Sequence, residues 1–471
     1  MKKGTVYSIM TAISLFGVMA VLSPGCSNEN SVALNASTSE DVKTRSSSDV
    51  SYHEPQFVAN ELLVKFKSGV STSVRDSALS HISGSIAEKI LTHAMKRSGD
   101  KEGFLLVNTP KGVLNAIGLL KKLDAVEYAE PNYIYTTDAI ADDSYFVNDS
   151  LWGMYGASTF PANQYGCNAA TAWAAGHTGS SDVYVGIIDE GYMYTHEDLA
   201  ANAGINPGEI PDNKIDDDGN GYVDDVYGWN FAGNNNKIFD ASLDDHGTHV
   251  AGTIGAVGNN GKGVAGVCWS VKLLSGKFMG RKGGTTADAV KAIDYFTALK
   301  KAGLNIVATN NSWSGGDYSQ ALYDAIERAN AAGILFIAAA GNNAWNCDKM
   351  PCYPASYTNS NIISVAAITS SGELPYYSNY GLTSVDIAAP GSGIISCVPQ
   401  VIKGKTFSGY ASSDGTSMAA PHVTGAVALY LSTHPGATAS EIINAILSSA
   451  IPTASLSGKC VTGGRLNVSG F

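Results

Sequence analysis

The sequence predicts an α/β protein: a three-layer α/β/α sandwich around a mostly parallel sheet, with a smaller α+β module ahead of it. Two observations lead there. From about residue 140 onward, apolar runs such as DVYVGIID, NIVATNNS and ILFIAAAGN each end in polar residues or glycine. Amphipathic stretches such as ADAVKAIDYFTALKKAG and YSQALYDAIERANAAG lie between them. Strands buried on both faces read as continuous apolar text, and parallel neighbours need helical crossovers. The bulk numbers agree, because 471 residues that are 44% hydrophobic with 51 glycines suit two or three units with ample core and many tight loops. A formal net charge of −12 argues against a nucleic-acid partner and leaves room for cations.

The elements follow in order. MKKGTVYSIMTAISLFGVMAVLSPGC has two lysines, an apolar run too short for a comfortable membrane span, and small residues ending at Cys26. That is the layout of a bacterial signal peptide over 1–25. The cysteine after small residues resembles a lipoprotein cleavage site, with lipid on Cys26 and plain secretion as the alternative. Residues 26–56, rich in Ser, Asn and Asp, read as a tether. Residues 57–137 then form the smaller module: ELLVKFK and GFLLVNT read as strands, GVLNAIGLLKKL as a helix, and AVEYAEPNYIYTTD as a closing extended segment. The large domain runs from 138 to 471. Six cysteines follow Cys26, and Cys347 and Cys352 in NCDKMPC are close enough to pair. No histidine or second cysteine pair accompanies them, so a disulfide or free thiols are favoured over zinc.

Ligand groups in such sheets collect at the carboxyl ends of the strands. VGIIDEG delivers Asp189 as a buried strand finishes, and DDHGTHVAG opens a helix with His246 in its first turn. ILFIAAAGN ends in Asn342, and DGTSMAAPHV starts the last long helix at Ser417. Taken alone, Ser417 is a helix cap and Asp189 a turn residue. Together the four residues have another use. A serine hydroxyl becomes a nucleophile when a histidine accepts its proton, and that histidine needs a carboxylate to fix its tautomer. The oxyanion that follows needs preorganised donors, here the Asn342 amide and the Ser417 backbone N–H.

In the order Asp, His, Asn, Ser, the motifs HGTHVAG, AAAGN and GTSMAAPHV resemble the subtilisin family of serine endopeptidases over roughly residues 150–471. The resemblance implies that Asp189 orients, His246 is the base, Ser417 attacks and Asn342 holds the oxyanion. It implies polypeptide substrates paired as an added strand along Ser312, Trp313, Ser314 and Gly315, with Ala339, Ala340 and Gly341 opposite. Trp313 and Ser314 stand where the family has Leu and Gly, which reshapes those pockets. The floor of the pocket before the scissile bond is expected near CYPASYT. Pro421 is expected in the first turn of its helix. The family's aspartate is usually followed by Ser or Thr. Glu190 follows here, either pointing to solvent or coupling to the Asp–His pair. His249 and His422 read as packing residues, His196 and His177 as surface. Residues 57–136 resemble the family's inhibitory pro-segment, implying a ferredoxin-like pro-domain that inhibits its own chain and is cut off between about 136 and 150.

The segment between Asp189 and His246 is longer than in the simplest family members and holds NKIDDDGNGYVDDVYGWNF. Asp216, Asp218 and Asn220, with Gly221 and a carbonyl near Tyr222, match the front of a calcium loop. Position twelve is Tyr227, so Asp224 or Asp225 must close it. The resemblance implies a second calcium site at Asp198 and Asn260, with no clear counterpart near SLWGM for the family's N-terminal ligand. The chain is thus expected to be a calcium-stabilised, exported monomer whose membrane contact is a lipid anchor only. Two rivals are a catalytically silent binding protein and a surface adhesin.

Overall fold

A computed structural model describes residues 57–133, 141–280 and 282–471. The signal peptide, Cys26 and the tether lie outside the described residues. In the first module the alternation in FVANELLVKF buries Leu62, Val64 and Phe66 in strand β1 (Phe57–Phe66). Helix α1 (Thr72–Ser80), strands β2 (Ser85–Ile90) and β3 (Phe104–Asn108), helix α2 (Val113–Leu120) and strand β4 (Val126–Tyr133) follow. The sheet order is β2-β3-β1-β4. Neighbours are antiparallel, and the two crossovers carry α1 and α2, which is the ferredoxin-like arrangement expected. Leu79 and Ile82 from the α1 region, and Ala116, Ile117 and Leu120 from α2, close the core over one face.

The large domain contains strands β5 (Gly179–Asp189) and β6 (Gly228–Asn230), helix α3 (Asp245–Gly255), strand β7 (Ser270–Lys277) and helix α4 (Thr286–Lys301). Strand β8 (Ile306–Asn311), helix α5 (Gln320–Ala331) and strands β9 (Leu335–Ala339), β10 (Ile362–Ile368) and β11 (Ile387–Pro390) come next. A hairpin of β12 (Ile394–Ile402) and β13 (Lys405–Ser413) precedes helices α6 (Thr416–Thr433) and α7 (Ala439–Ser448), and short β14 (Ile451–Pro452) and β15 (Gly464–Arg465) complete the sheet. Its order is β14-β15-β11-β10-β9-β8-β5-β7-β6, parallel except for the β14–β15 pair.

Period-two alternation makes three layers out of this sheet. Leu335, Ile337 and Ala339 of β9 pack on the side of α3 and α6 with Val250, Ile254, Val423 and Val427. Phe336 and Ala338 face the other side, where α4 and α5 contribute Ala292, Phe296, Leu322 and Ile326. Strand order runs outward in both directions from β5, so a crevice opens at the carboxyl ends of β5 and β8, where α3 and α6 begin. Among the described residues, no helix is long and apolar enough to cross a membrane. All six cysteines after Cys26 are buried free thiols.

Candidate active site

The two helices on the far face are capped conventionally. Thr285 accepts the Asp288 N–H at the start of α4, and Ser319 accepts the Leu322 N–H at the start of α5. The helices at the crevice are not. Asp244 before α3 and Gly415 before α6 provide no side-chain cap. A leading N–H of each is met by a residue from the end of another strand, which gathers Asp189 with His246 and, separately, Asn342 with the start of the Ser417 helix. Among the described residues Ser417 and His246 share no hydrogen bond.

Asp189 ends β5 fully buried. Its Oδ1 accepts the Glu190 N–H at 2.7 Å and faces His246 Nδ1 at 2.9 Å. Its Oδ2 is buried without a partner among the described residues, so the carboxylate charge is poorly solvated and favours a cationic neighbour. His246 sits in the first turn of α3 with its side chain 32% exposed. Burial opposes its imidazolium, but Asp189, with Glu190 and Asp245, outweighs that and raises it to about 9. α3 can come this close because position 247 is glycine: a Cβ there would lie 2.0 Å from the Gly191 carbonyl oxygen. Gly191 has φ +102° at the same turn.

Glu190 does not point to solvent. Its Oε1 accepts the His246 backbone N–H at 2.7 Å. Burial, then the Asp189 carboxylate, push it up to about 7. Behind it lies a residue the sequence reading missed. Lys277, at the end of β7 opposite Asp189, donates its Nζ to Asp244 Oδ1 and to the Glu190 carbonyl. Lys277 and Asp244 side chains are only 7% and 1% exposed, so this is a buried ion pair tying three segments together.

Ser417 is the second residue of α6, inside the helix and not its cap. Its Oγ donates to the Ser312 carbonyl at 3.2 Å, and in return Ser312 Oγ donates to the Ser417 carbonyl at 2.8 Å. Pro421 accounts for the second bond. It stands in the second turn of α6, one turn later than expected, where its nitrogen faces Ser417 O and has no hydrogen to give. That carbonyl is therefore free for Ser312. Asn342 is exposed just beyond β9, and its Oδ1 accepts from the Thr416 N–H at 2.9 Å and the Thr416 hydroxyl at 3.0 Å. An oxygen so engaged turns Nδ2 outward as a free donor. Among the described residues the Ser417 backbone N–H has no acceptor either. A Cβ built on Gly415 would lie 3.4 Å from Asn342 Nδ2 and 3.5 Å from Ser417 N, so the two donors flank one small space.

Ser312 is buried, while Ser314, Gly315 and Gly316 form an exposed edge beyond β8. The Trp313 side chain turns down into the core instead, with ring centroids 4.9 Å from Phe278 and 6.4 Å from Phe336. Ala339, Ala340 and Gly341 are buried. A Cβ on Gly341 would meet the Cys352 thiol at 2.9 Å, and Gly315 N–H bonds the Tyr353 carbonyl, so CYPASYT does border these two segments. His249 and His422 are buried and lowered to about 4 by burial, as packing residues should be. His196 corrects the surface expectation. It is fully buried, bonding Gly409 through Nε2 and the Asp198 N–H through Nδ1.

In the acidic loop, Asp216 and Asp218 come together with Glu209, their carboxylate oxygens within 4.8 Å of one another. The sequence reading missed Glu209, seven residues upstream in an unremarked stretch. Asp225 is fully buried and faces Asn206, Asn220 and Tyr295. Asp224 turns away, both oxygens taken by the N–H groups of Asn213 and Lys214. The Tyr222 ring packs between Trp229 and Phe231, which leaves its backbone as its link to the loop. At the other expected site, Asn260 donates to Asp198 at 2.8 Å, and Val264 N–H donates to Asp198 at 2.9 Å. Asp143, fully buried, accepts from Asn259 N–H in the same loop. It brings a second carboxylate to the loop that carries Asn260.

Comparison with known proteins now has a geometry to stand on. A family model described as the subtilase family matches residues 180–469, and one described as the fervidolysin N-terminal prodomain matches residues 46–132. The chain is 32% identical over 394 residues to the thermophilic serine proteinase of Bacillus sp. (strain AK1), covering 83% of each chain. It is 37% identical over 319 residues to an extracellular protease of Xanthomonas campestris, covering 64% of this chain and 53% of that one, about half its length. Among solved structures, a protease from Pseudoalteromonas arctica superposes with a TM-score of 0.55 at 31% identity, over 70% of this chain and 98% of that one.

Proposed function

The chain belongs to the subtilase family of serine proteases, and from that premise we propose that it is an exported, calcium-stabilised endopeptidase made as a self-cleaving zymogen. Ser417 is the nucleophile, His246 the general base, Asp189 its orienting carboxylate and Asn342 the oxyanion donor. The observation that carries this reading is the 2.9 Å contact between Asp189 and His246 beside an α6 whose first N–H, that of Thr416, is held by Asn342.

The chemistry follows from those groups. Ser417 Oγ leaves the Ser312 carbonyl, gives its proton to His246 Nε2 and bonds to the substrate carbonyl carbon. Asn342 Nδ2 and the Ser417 N–H take the oxyanion, and the buried Asp189 charge stabilises the imidazolium. Collapse expels the amine, which takes the proton from His246, and water repeats the sequence to release the acid. Substrate lies as a strand along Ser312 to Gly315, with Ala339 to Gly341 facing it.

Calcium would be held by Glu209, Asp216 and Asp218, hard oxygen donors suited to it, with Asn220, Asp225 and the Tyr222 carbonyl close by. Asp198, Asn260 and Asp143 would hold a second ion. The pro-domain over 57–137 acts as intramolecular inhibitor of the catalytic domain over 138–471. Export through the 1–25 signal leaves Cys26 lipid-anchored on the outer surface or the periplasmic face, or the chain is released as a monomer. The test is digestion of a denatured protein with calcium present, reading new amino termini by mass spectrometry. Wild type generates them and Ser417→Ala does not. Equal cleavage by both would overturn the reading.

A further inference from the structure

We propose that Glu190 is a positioning residue for His246: reaching from the end of β5, its carboxylate stands in for the missing side-chain cap of α3 and sets the proton affinity of the imidazole. This rests on reading His246 as the general base. The geometry is specific. Asp244 gives helix α3 no side-chain cap, and among the described residues the carboxylates on the His246 N–H are Glu190 at 2.7 Å and, at 3.1 Å, the exposed Asp245. An anion at a helix N-terminus is stabilising, and here the helical residue it holds is the base itself.

The groups around Glu190 are Asp189 from β5, His246 and Asp245 from α3, and the Lys277–Asp244 pair behind it. Lys277 is spent on Asp244 and on the Glu190 carbonyl, leaving the Glu190 carboxylate unneutralised by any lysine or arginine among the described residues. His246 thus meets two carboxylates, Asp189 on its ring and Glu190 on its backbone N–H. Glu190 itself is pushed up to about 7 by burial and by Asp189, so it ionises before His246 gives up its proton near 9. Once ionised it favours the imidazolium. That raises the pH at which the free enzyme acquires a neutral base, and it supports the imidazolium formed during attack.

Glu190→Gln keeps the acceptor oxygen and removes the charge, which separates this role from capping. Two measurements decide it. In the Ser417→Ala background, with histidine nitrogens isotopically labelled and the His246 signal assigned by its loss in His246→Gln, NMR titration gives the imidazole midpoint with and without Glu190→Gln. In otherwise wild-type enzyme, the acid limb of kcat/KM is compared for the same substitution. The expected result is a midpoint lower by about one pH unit and an acid limb displaced equally, with kcat on the plateau reduced about tenfold. Thermal stability moving while midpoint and limb stay put would overturn the proposal and leave Glu190 a helix cap. Should the chain turn over no peptide, the peptidase reading falls, while the NMR midpoint still judges the Glu190–His246 coupling. Glu190→Met, lacking both charge and acceptor, is expected to add a structural loss beyond that of Glu190→Gln.

Discussion

Asn342 shows how a residue's role is fixed by what takes its other end. Its oxygen is committed to Thr416, so only its amide hydrogens face the crevice. Asn342→Ala is expected to lower kcat about 10²–10³-fold with KM little changed, a range measured on this family's own oxyanion asparagine, and steady-state kinetics checks it. His246 and Glu190 give a pH prediction. Both hold protons in the folded chain that the unfolded chain has released, His246 up to about 9 and Glu190 up to about 7. Their contribution to stability therefore declines as pH rises from the range of free carboxyl groups towards 9, while kcat/KM rises as His246 becomes neutral. Opposite slopes of Tm and kcat/KM over that window are the expected outcome. Parallel slopes would contradict the assignment. Lys277→Met strands the Asp244 charge and is expected to cost about 3–5 kcal/mol in urea unfolding of the Ser417→Ala protein, with Lys277→Met/Asp244→Leu less costly. Asp189, His246, Asn342 and Ser417 were legible because each sits in a short motif. Lys277 and Asp143 were not, because the partners that give them meaning are distant in the chain, and Glu209 was not, because it lies ahead of the loop motif and outside its fixed spacing.

At the scale of elements, the site is assembled from helices that lack their own caps. A reading of α3 and α6 from local signals finds the start of each helix but not the acceptor, since Glu190 and Asn342 arrive from β5 and β9. Strands β5, β8 and β9 were legible for the opposite reason, since burial on both faces leaves an apolar run in each. The β12–β13 hairpin was harder. Its turn is Lys403-Gly404 with φ +50° and +74°, a conformation usually announced by Asn or Asp in the first place. The acidic loop offers a test between near neighbours. Asp218 belongs to the three-carboxylate cluster, whereas Asp224 holds the backbone of Asn213 and Lys214. Chelation is expected to lower stability, and with it Tm, by an amount that grows with the calcium previously present, about 2.7 kcal/mol of stability at a hundredfold excess over Kd. Asp218→Asn is expected to abolish most of that response. Asp224→Asn is expected to lower Tm with the response intact, as differential scanning calorimetry with and without chelator would read.

In the whole molecule a nine-stranded sheet follows a small four-stranded module. The nine-stranded sheet joins segments far apart in sequence, from Gly179 to Arg465, and such non-local topologies tend to fold slowly. The leading βαββαβ module folds around its own core, of Leu62, Val64, Ile82, Val107 and Leu120 among others, and can be ready first. The change in text near residue 140 falls between the four-stranded and the nine-stranded sheet. The ferredoxin-like order β2-β3-β1-β4 was not legible from the strands alone, because strand periodicity carries no information on neighbours. It came from resemblance. The account as a whole stands on one activated hydroxyl. Intact-mass analysis of calcium-incubated protein exposed to a fluorophosphonate probe, beside Ser417→Ala and His246→Ala, tests it most directly. A single adduct located on Ser417, on a chain that has lost everything before about residues 136–150, with both variants unlabelled and uncleaved, is the predicted result. A processed chain that takes no adduct, or one labelled equally when Ser417 is alanine, would contradict it.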